Sequence, residues 1–233
     1  MLDYVNWFRH STPYINQHRD CTFVLLLPGE AMIHANFNNI IHDIMLLNSL
    51  GVRLVLVHGS RPQIEERLAL RGIRSQYHND LRVTDIDTLS CVIDAVGSLR
   101  IAIEARLCAQ QSGSRLRVVS GNLVTAKPIG VVDGVDFHHT GEVRRIDRKA
   151  ITRHLDEQNI VLLSSLGYSP TGEAFNLACE DVATSVAVAL GADKLILFGE
   201  DTGIRDEDGE LLRELKPTRA APLLAKLGNS QPG

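Results

Sequence analysis

The chain has 233 residues, a formal net charge of −4 at pH 7 and 44% hydrophobic residues. That length suits one α/β domain, the charge gives no electrostatic reason to expect a nucleic-acid partner, and no run approaches the roughly 18 apolar residues of a membrane span. Cys21, Cys91, Cys108 and Cys179 show no Cys-x-x-Cys spacing, and the nine histidines lack the i, i+4 or His-x-His spacing of a shared metal. Buried free thiols in a reducing, cytoplasmic compartment and no metal site are therefore expected.

The first predicted element is an amphipathic leader helix inside residues 1–20. It places Val5, Phe8, Tyr14 and Ile15 on an apolar side and breaks or restarts at Ser11-Thr12-Pro13, where a hydroxyl can cap and proline is tolerated in a first turn. Asp3, Arg9 and His10 interrupt any apolar core, which argues against a signal peptide. Residues 21–233 read as one domain. Thr22-Phe23-Val24-Leu25-Leu26-Leu27 is a buried strand ending in Pro28-Gly29-Glu30, followed by a helix over 37–50. Leu54-Val55-Leu56-Val57 is a second buried strand. It runs into His58-Gly59-Ser60-Arg61-Pro62 and a helix over 63–71 with Ile64, Leu68 and Ala69 inward.

Strand, turn and helix alternating in this way argue for a parallel sheet covered on both faces, with both glycine turns at the carboxyl edge where such sheets bind ligands. A glycine turn feeding a helix start is an anion site in principle, although such turns also arise for purely structural reasons. Further on, Thr84 with Asp87 is expected to cap a helix over 86–108 whose inward positions are Leu89, Val92, Ile93, Val96, Leu99, Ile103 and Leu107. Strands at 116–119 and 123–126 read as a hairpin around Ser120-Gly121-Asn122, and 130–141 as a loop. A strand at 142–146 leads to Asp147, the expected cap of a helix over 148–156. A buried strand at 160–163, a loop at 167–173, a helix over 179–190 and a strand from 194 follow. Beyond these come a hairpin at 204–212 turning on Asp208-Gly209, a short helix at 223–227 and a breaker-rich tail.

Several motifs occur in order: Phe8-Arg9-His10-Ser11-Thr12-Pro13-Tyr14-Ile15, Pro28-Gly29-Glu30-Ala31, His58-Gly59-Ser60-Arg61-Pro62, Arg82-Val83-Thr84-Asp85, Thr140-Gly141-Glu142-Val143-Arg144-Arg145-Ile146-Asp147 and Phe175-Asn176-Leu177-Ala178-Cys179-Glu180-Asp181. By these motifs the chain resembles the amino-acid kinase family, and within it the kinase-type domain of the N-acetylglutamate synthases. The resemblance implies a three-layer α/β/α sandwich with a mainly parallel central sheet. It also implies that the fold continues past residue 233 with a further helix and strand, so a C-terminally truncated sandwich is expected.

In the kinases of this family the first strand ends in Lys-Leu-Gly-Gly, and the lysine neutralises the transferring phosphoryl group; the matching stretch here is Leu26-Leu27-Pro28-Gly29. The aspartate that organises their active-site lysines matches Glu180, with Asp181 the alternative one residue on. Arg61 stands where the family has a glycine of its phosphate turn. A cation on the transferring group is worth roughly 10³ to 10⁵ in rate, or about 4 to 7 kcal/mol. A kinase fold without kinase activity is thus expected, with Leu26 and Glu180 as degenerate positions and Arg61 as the one charge that could compensate.

Gly29, Gly59, Ser60, Arg61, Arg82 and Asn176 would form the remnant phosphate and substrate site. By resemblance Arg82 and Asn176 grip a substrate carboxylate, for which a guanidinium fork is well suited; alternatively both hold the fold together. The resemblance further implies L-arginine as an effector, a leader helix that joins subunits into hexamers, and Tyr14 at the arginine site or an oligomer contact. A leader that packs back on its own domain is the other reading. Acetyl-CoA would belong to an acetyltransferase domain, whose Arg/Gln-x-x-Gly-x-Gly/Ala turn is absent from these 233 residues. The functional alternatives are an arginine-sensing silent kinase domain, an active N-acetylglutamate kinase, and an assembly scaffold for a separate acetyltransferase chain.

Overall fold

The computed structural model describes residues 2–109, 116–199, 203–205, 210–216, 218, 220 and 222. The leader is one helix, α1 (Leu2–His18), which runs through Pro13 without the expected break. Proline removes the donor for the Arg9 carbonyl, and because Arg9 and Pro13 are both exposed, water can replace it. Val5 and Tyr14, expected on a buried side, are exposed. The helix end is tied down: His18 Nε2 accepts from Lys194 Nζ at 2.9 Å, and its ring meets Phe23 edge-on.

Then come β1 (Thr22–Leu27), a single 3-10 turn at Gly29–Met32, α2 (Phe37–Ser49), β2 (Arg53–His58) and α3 (Arg61–Leu70). Within α3, Ile64 and Leu68 are buried as expected but Ala69 is exposed. An unanticipated hairpin follows, β3 (Gln76–His78) and β4 (Leu81–Val83), turning on Asn79 and Asp80 with φ of 49° and 61°. Two successive left-handed residues make the turn whose twist matches a hairpin. The long helix α4 (Ile86–Ala109) is capped by Asp85, which accepts from Thr88 N at 2.8 Å. Thr84, the expected cap, is fully buried and bonded elsewhere, and Ile93 is exposed.

The second half comprises β5 (Val118–Val119), β6 (Val124–Pro128), β7 (Val131–Val132), β8 (Val135–Asp136), β9 (Gly141–Ile146), α5 (Arg148–Asp156), β10 (Ile160–Ser164), β11 (Leu166–Tyr168), β12 (Ala174–Asn176), α6 (Cys179–Leu190) and β13 (Lys194–Leu197). The hairpin expected between 116–119 and 123–126 does not form: β5 pairs in parallel with β10, and β6 pairs antiparallel with β9. Register explains the choice, since β6 sets Val124 opposite Ile146 and Ala126 opposite Val143 on a buried face. The loop expected at 130–141 holds the β7–β8 pairing, and the loop expected at 167–173 is the connection of a short antiparallel pair, β11 with β12. Asp147 caps α5 as expected, accepting from Ala150 N at 3.1 Å.

The central sheet has the order β13-β1-β2-β10-β5 and is parallel throughout. The strands β1, β2 and β10 are apolar on both faces because both of their faces are covered. Val24, Leu26, Val55, Val57, Val161 and Leu163 pack with α5 and α6, whereas Leu25, Leu27, Leu54, Leu56 and Leu162 pack with α2 and α4. These are the layers of an α/β/α sandwich. A mixed sheet, β12-β11-β6-β9, adjoins the first core.

Residues Met1–Phe198 form one compact unit and Gly199–Gly233 another. Within the second, Arg205 and Leu211 form an antiparallel bridge, and Leu212 N donates to Ile204 O at 2.8 Å. The turn at Asp208-Gly209, the helix at 223–227 and the tail lie outside the described residues. Among the described residues no helix is long and apolar enough to cross a membrane, and no cluster of His, Cys, Asp and Glu could hold a metal ion.

Candidate functional site

The ends of β1 and β2 turn away from the sheet side by side, joined by Gly59 N donating to Leu27 O at 2.8 Å. The approach leaves no room for a side chain at Gly29 and little at Gly59. A Cβ on Gly29 would sit 2.7 Å from the Gln63 side chain and from Pro62 Cδ, and one on Gly59 would sit 3.0 Å from Cys179 Sγ. Helix α3 starts directly at Arg61 with Pro62 in its first turn, where proline loses no hydrogen bond. Gln63 Nε2 donates to Gly29 O at 2.8 Å, and Ser60 Oγ lies 3.3 Å from Ser165 Oγ, just past β10.

These turns, the β3–β4 hairpin, the end of β12 and the start of α6 enclose a cleft of about 140 Å³ at the carboxyl edge of the sheet. Gly29, Gly59, Ser60, Arg61, Arg82, Asn176 and Glu180 all line it. Leu26 does not; it is 3% exposed and lies in the core beneath α6. Tyr14 lies on α1, 68% exposed and away from the cleft.

Arg82 is 7% exposed. Its Nη2 lies 2.7 Å from Glu65 Oε1, its Nη1 donates to Ser75 Oγ, and the Tyr77 ring covers it with a centroid 4.8 Å from Cζ. Tyr77 stands opposite Arg82 in the hairpin register, so the stacking follows from the pairing. Asn176 Nδ2 donates to Thr84 Oγ1 at 3.1 Å, Thr84 Oγ1 lies 2.9 Å from Thr140 Oγ1, and Thr140 donates to Arg82 O at 2.5 Å. Both residues expected to hold a substrate carboxylate thus face the cleft while bonded to protein partners.

The cleft carries three carboxylates, Glu30, Asp80 and Glu180, against two guanidiniums, Arg61 and Arg82. Cys179 donates to Glu180 Oε2 at 3.3 Å, and burial first, then the charge and hydrogen bond of Glu180, push its thiol up to about 12. It is therefore a thiol and not a nucleophile at neutral pH. Burial, then Glu180 and Glu142, raise the Asp181 carboxyl. Beneath the glycine turn His58 is fully buried, donates from Nδ1 to Gly59 O at 3.3 Å, and has no partner for Nε2. Burial lowers it to about 4, with the Arg100 charge adding to the effect and the Gly59 bond opposing it. Sequence reasoning missed Glu65, Ser75, Tyr77 and the Thr84–Thr140 pair. The Asn79-Asp80 dipeptide between His78 and Leu81 was the available hairpin signal.

The sequence profile of the amino acid kinase family matches residues 22–226. An amino-acid acetyltransferase of Pseudomonas putida is 67% identical over 238 residues, covering 100% of this chain and 55% of that protein. The N-acetylglutamate synthase of Neisseria gonorrhoeae, in complex with coenzyme A and N-acetyl-glutamate, superposes with a TM-score of 0.87 at 39% identity, covering 95% of this chain and 51% of that one. Its complex with coenzyme A and L-arginine gives 0.86 at 39% identity, covering 95% and 53%. The chain spans about half the length of the curated relatives it matches.

Proposed function

Because the chain belongs to the amino acid kinase family, we propose that it is the catalytically silent, arginine-sensing kinase-type domain of an N-acetylglutamate synthase, the acetyl-CoA:L-glutamate N-acetyltransferase that opens arginine biosynthesis. The observation that carries the silent reading is Leu26, closed into the core at 3% exposure where the family's kinases present a lysine. Of the cleft's two cations, Arg82 is already paired with Glu65. Among the described residues Arg61 alone is left to face a phosphoryl group, together with three carboxylates that repel one. The relative crystallised with L-arginine supports the sensing part.

The same proposal includes a cytoplasmic homo-oligomer assembled through α1, with Tyr14 at the effector site or between subunits. Acetyl transfer is placed outside these residues. They carry no pyrophosphate-binding turn of the required pattern, so no step through acetyl-CoA is assigned to them.

The test is the melting midpoint of the chain with millimolar L-arginine against L-lysine. A ligand at 100 times its dissociation constant adds about 2.7 kcal/mol, a shift of roughly 5 to 10 °C for a domain of this size. A shift specific to arginine supports the sensor. No shift refutes sensing by this chain alone, and ADP formation dependent on ATP, magnesium and N-acetylglutamate refutes the silent cleft in favour of an active kinase.

A further inference from the structure

The most buried cation of the cleft is answered by a carboxylate from behind. Glu65 sits on α3, is not part of the cleft wall, and leaves the Arg82 side chain 6% exposed while itself remaining 44% exposed. Its own oxygens take three protein donors. Ser75 Oγ donates to Oε2 at 2.7 Å, the Tyr77 hydroxyl donates to Oε1 at 2.8 Å, and Arg82 Nη2 completes the set. Burial alone would raise this carboxyl, but the hydrogen bonds from Ser75, Tyr77 and Arg82 outweigh it and hold it below the ordinary range. Glu65 is therefore ionised at neutral pH.

A guanidinium held by a carboxylate and a hydroxyl, with an aromatic ring on its face, has the surroundings a ligand carboxylate would otherwise supply. The chain provides them from its own α3, from β3 and from Ser75 just before it. Arg82 still borders the cleft, but the field it projects there is offset by the Glu65 charge at 2.7 Å. We propose that Glu65 is a specificity-determining residue: it neutralises Arg82 from behind, and so sets the cleft against carboxylate ligands. This rests on the reading of the cleft as a silent kinase-type site and adds a reason why the substrate half of that site is closed as well.

The experiment compares the parent chain with Glu65→Gln, in which the amide keeps acceptor and size but loses the charge. Binding of N-acetyl-L-glutamate is measured by calorimetry at low and at high salt. The variant is expected to bind it about tenfold or more tightly than the parent, with the gain shrinking as salt rises. Glu65→Gln combined with Arg82→Gln is expected to lose the gain. Equal affinity in parent and Glu65→Gln, no binding to the variant, or a gain that survives Arg82→Gln overturns the proposal. Glu65→Met, similar in length and uncharged, repeats the comparison if the Gln variant does not fold. ADP formation is a separate readout, so a failure here leaves the silent-cleft reading standing.

Discussion

His58 makes the stability of this domain depend on pH in a direction the structure fixes. Its folded pKa is about 4 against an ordinary 6.5. Between those values the unfolded chain binds a proton that the native state refuses. The native state is then fully favoured above about pH 6.5 and loses stability as the pH falls, the loss levelling off below about pH 4. The full span is worth about 3 kcal/mol at 1.36 kcal/mol per unit. From about pH 7.5 to about pH 5.0 the expected loss is about 2 kcal/mol, or about thirtyfold in the unfolding equilibrium. The cause is geometric: Nδ1–H is committed to the Gly59 carbonyl, and a proton on Nε2 would add a charge and a donor at a fully buried atom without a partner. Equilibrium urea unfolding at the two pH values measures it, with His58→Asn as reference because its amide can still donate toward Gly59. The difference between parent and variant should grow at the lower pH in the variant's favour by about 2 kcal/mol. If both lose the same stability on acidification, His58 is not held neutral and the reasoning fails.

Two further outcomes follow from the same geometry. Leu26→Lys puts an amine into the core beneath α6; it should cost about 3 kcal/mol or more, read as a lower urea midpoint, and yield no ADP in an ATP-dependent assay. ADP formation by this variant would mean that position 26 opens to the cleft. Cys179, its thiol pushed up to about 12 from an ordinary 9.0, carries about a thousandfold less thiolate than an ordinary thiol near pH 8. Mass spectrometry after brief iodoacetamide treatment should find Cys108, which is exposed and not buried as the sequence suggested, alkylated long before Cys179. Equal labelling would show that burial and the Glu180 charge do not hold the thiol.

What could be read from the sequence was whatever the chain states locally. The β1, β2 and β10 strands are covered on both faces and appear as unbroken apolar runs, and the α5 cap is a single well-placed aspartate. What could not be read was partner choice. The stretch 116–126 has the form of a hairpin, yet the hydrophobic faces of β10 and β9, supplied from elsewhere in the chain, decide where each half pairs. In the cleft, Gly29, Gly59, Arg82 and Asn176 sit in motifs, so the sequence could nominate them together. Glu65 is one polar residue on an ordinary helix. Only the β3–β4 turn, a feature of two left-handed residues and short polar strands, brings Tyr77 and Arg82 to it.

The strand order also dictates a schedule for synthesis. β1 lies inside the central sheet, but its second neighbour is β13, the last strand of that sheet among the described residues. Once β2 has emerged from the ribosome, the open edge of β1 must wait for residues 194–197. At roughly 5 to 20 residues per second that wait is on the order of ten seconds. During it an apolar, parallel-pairing edge faces the cell, which makes chaperone capture of nascent chains stalled before β13 the expected mark of this topology.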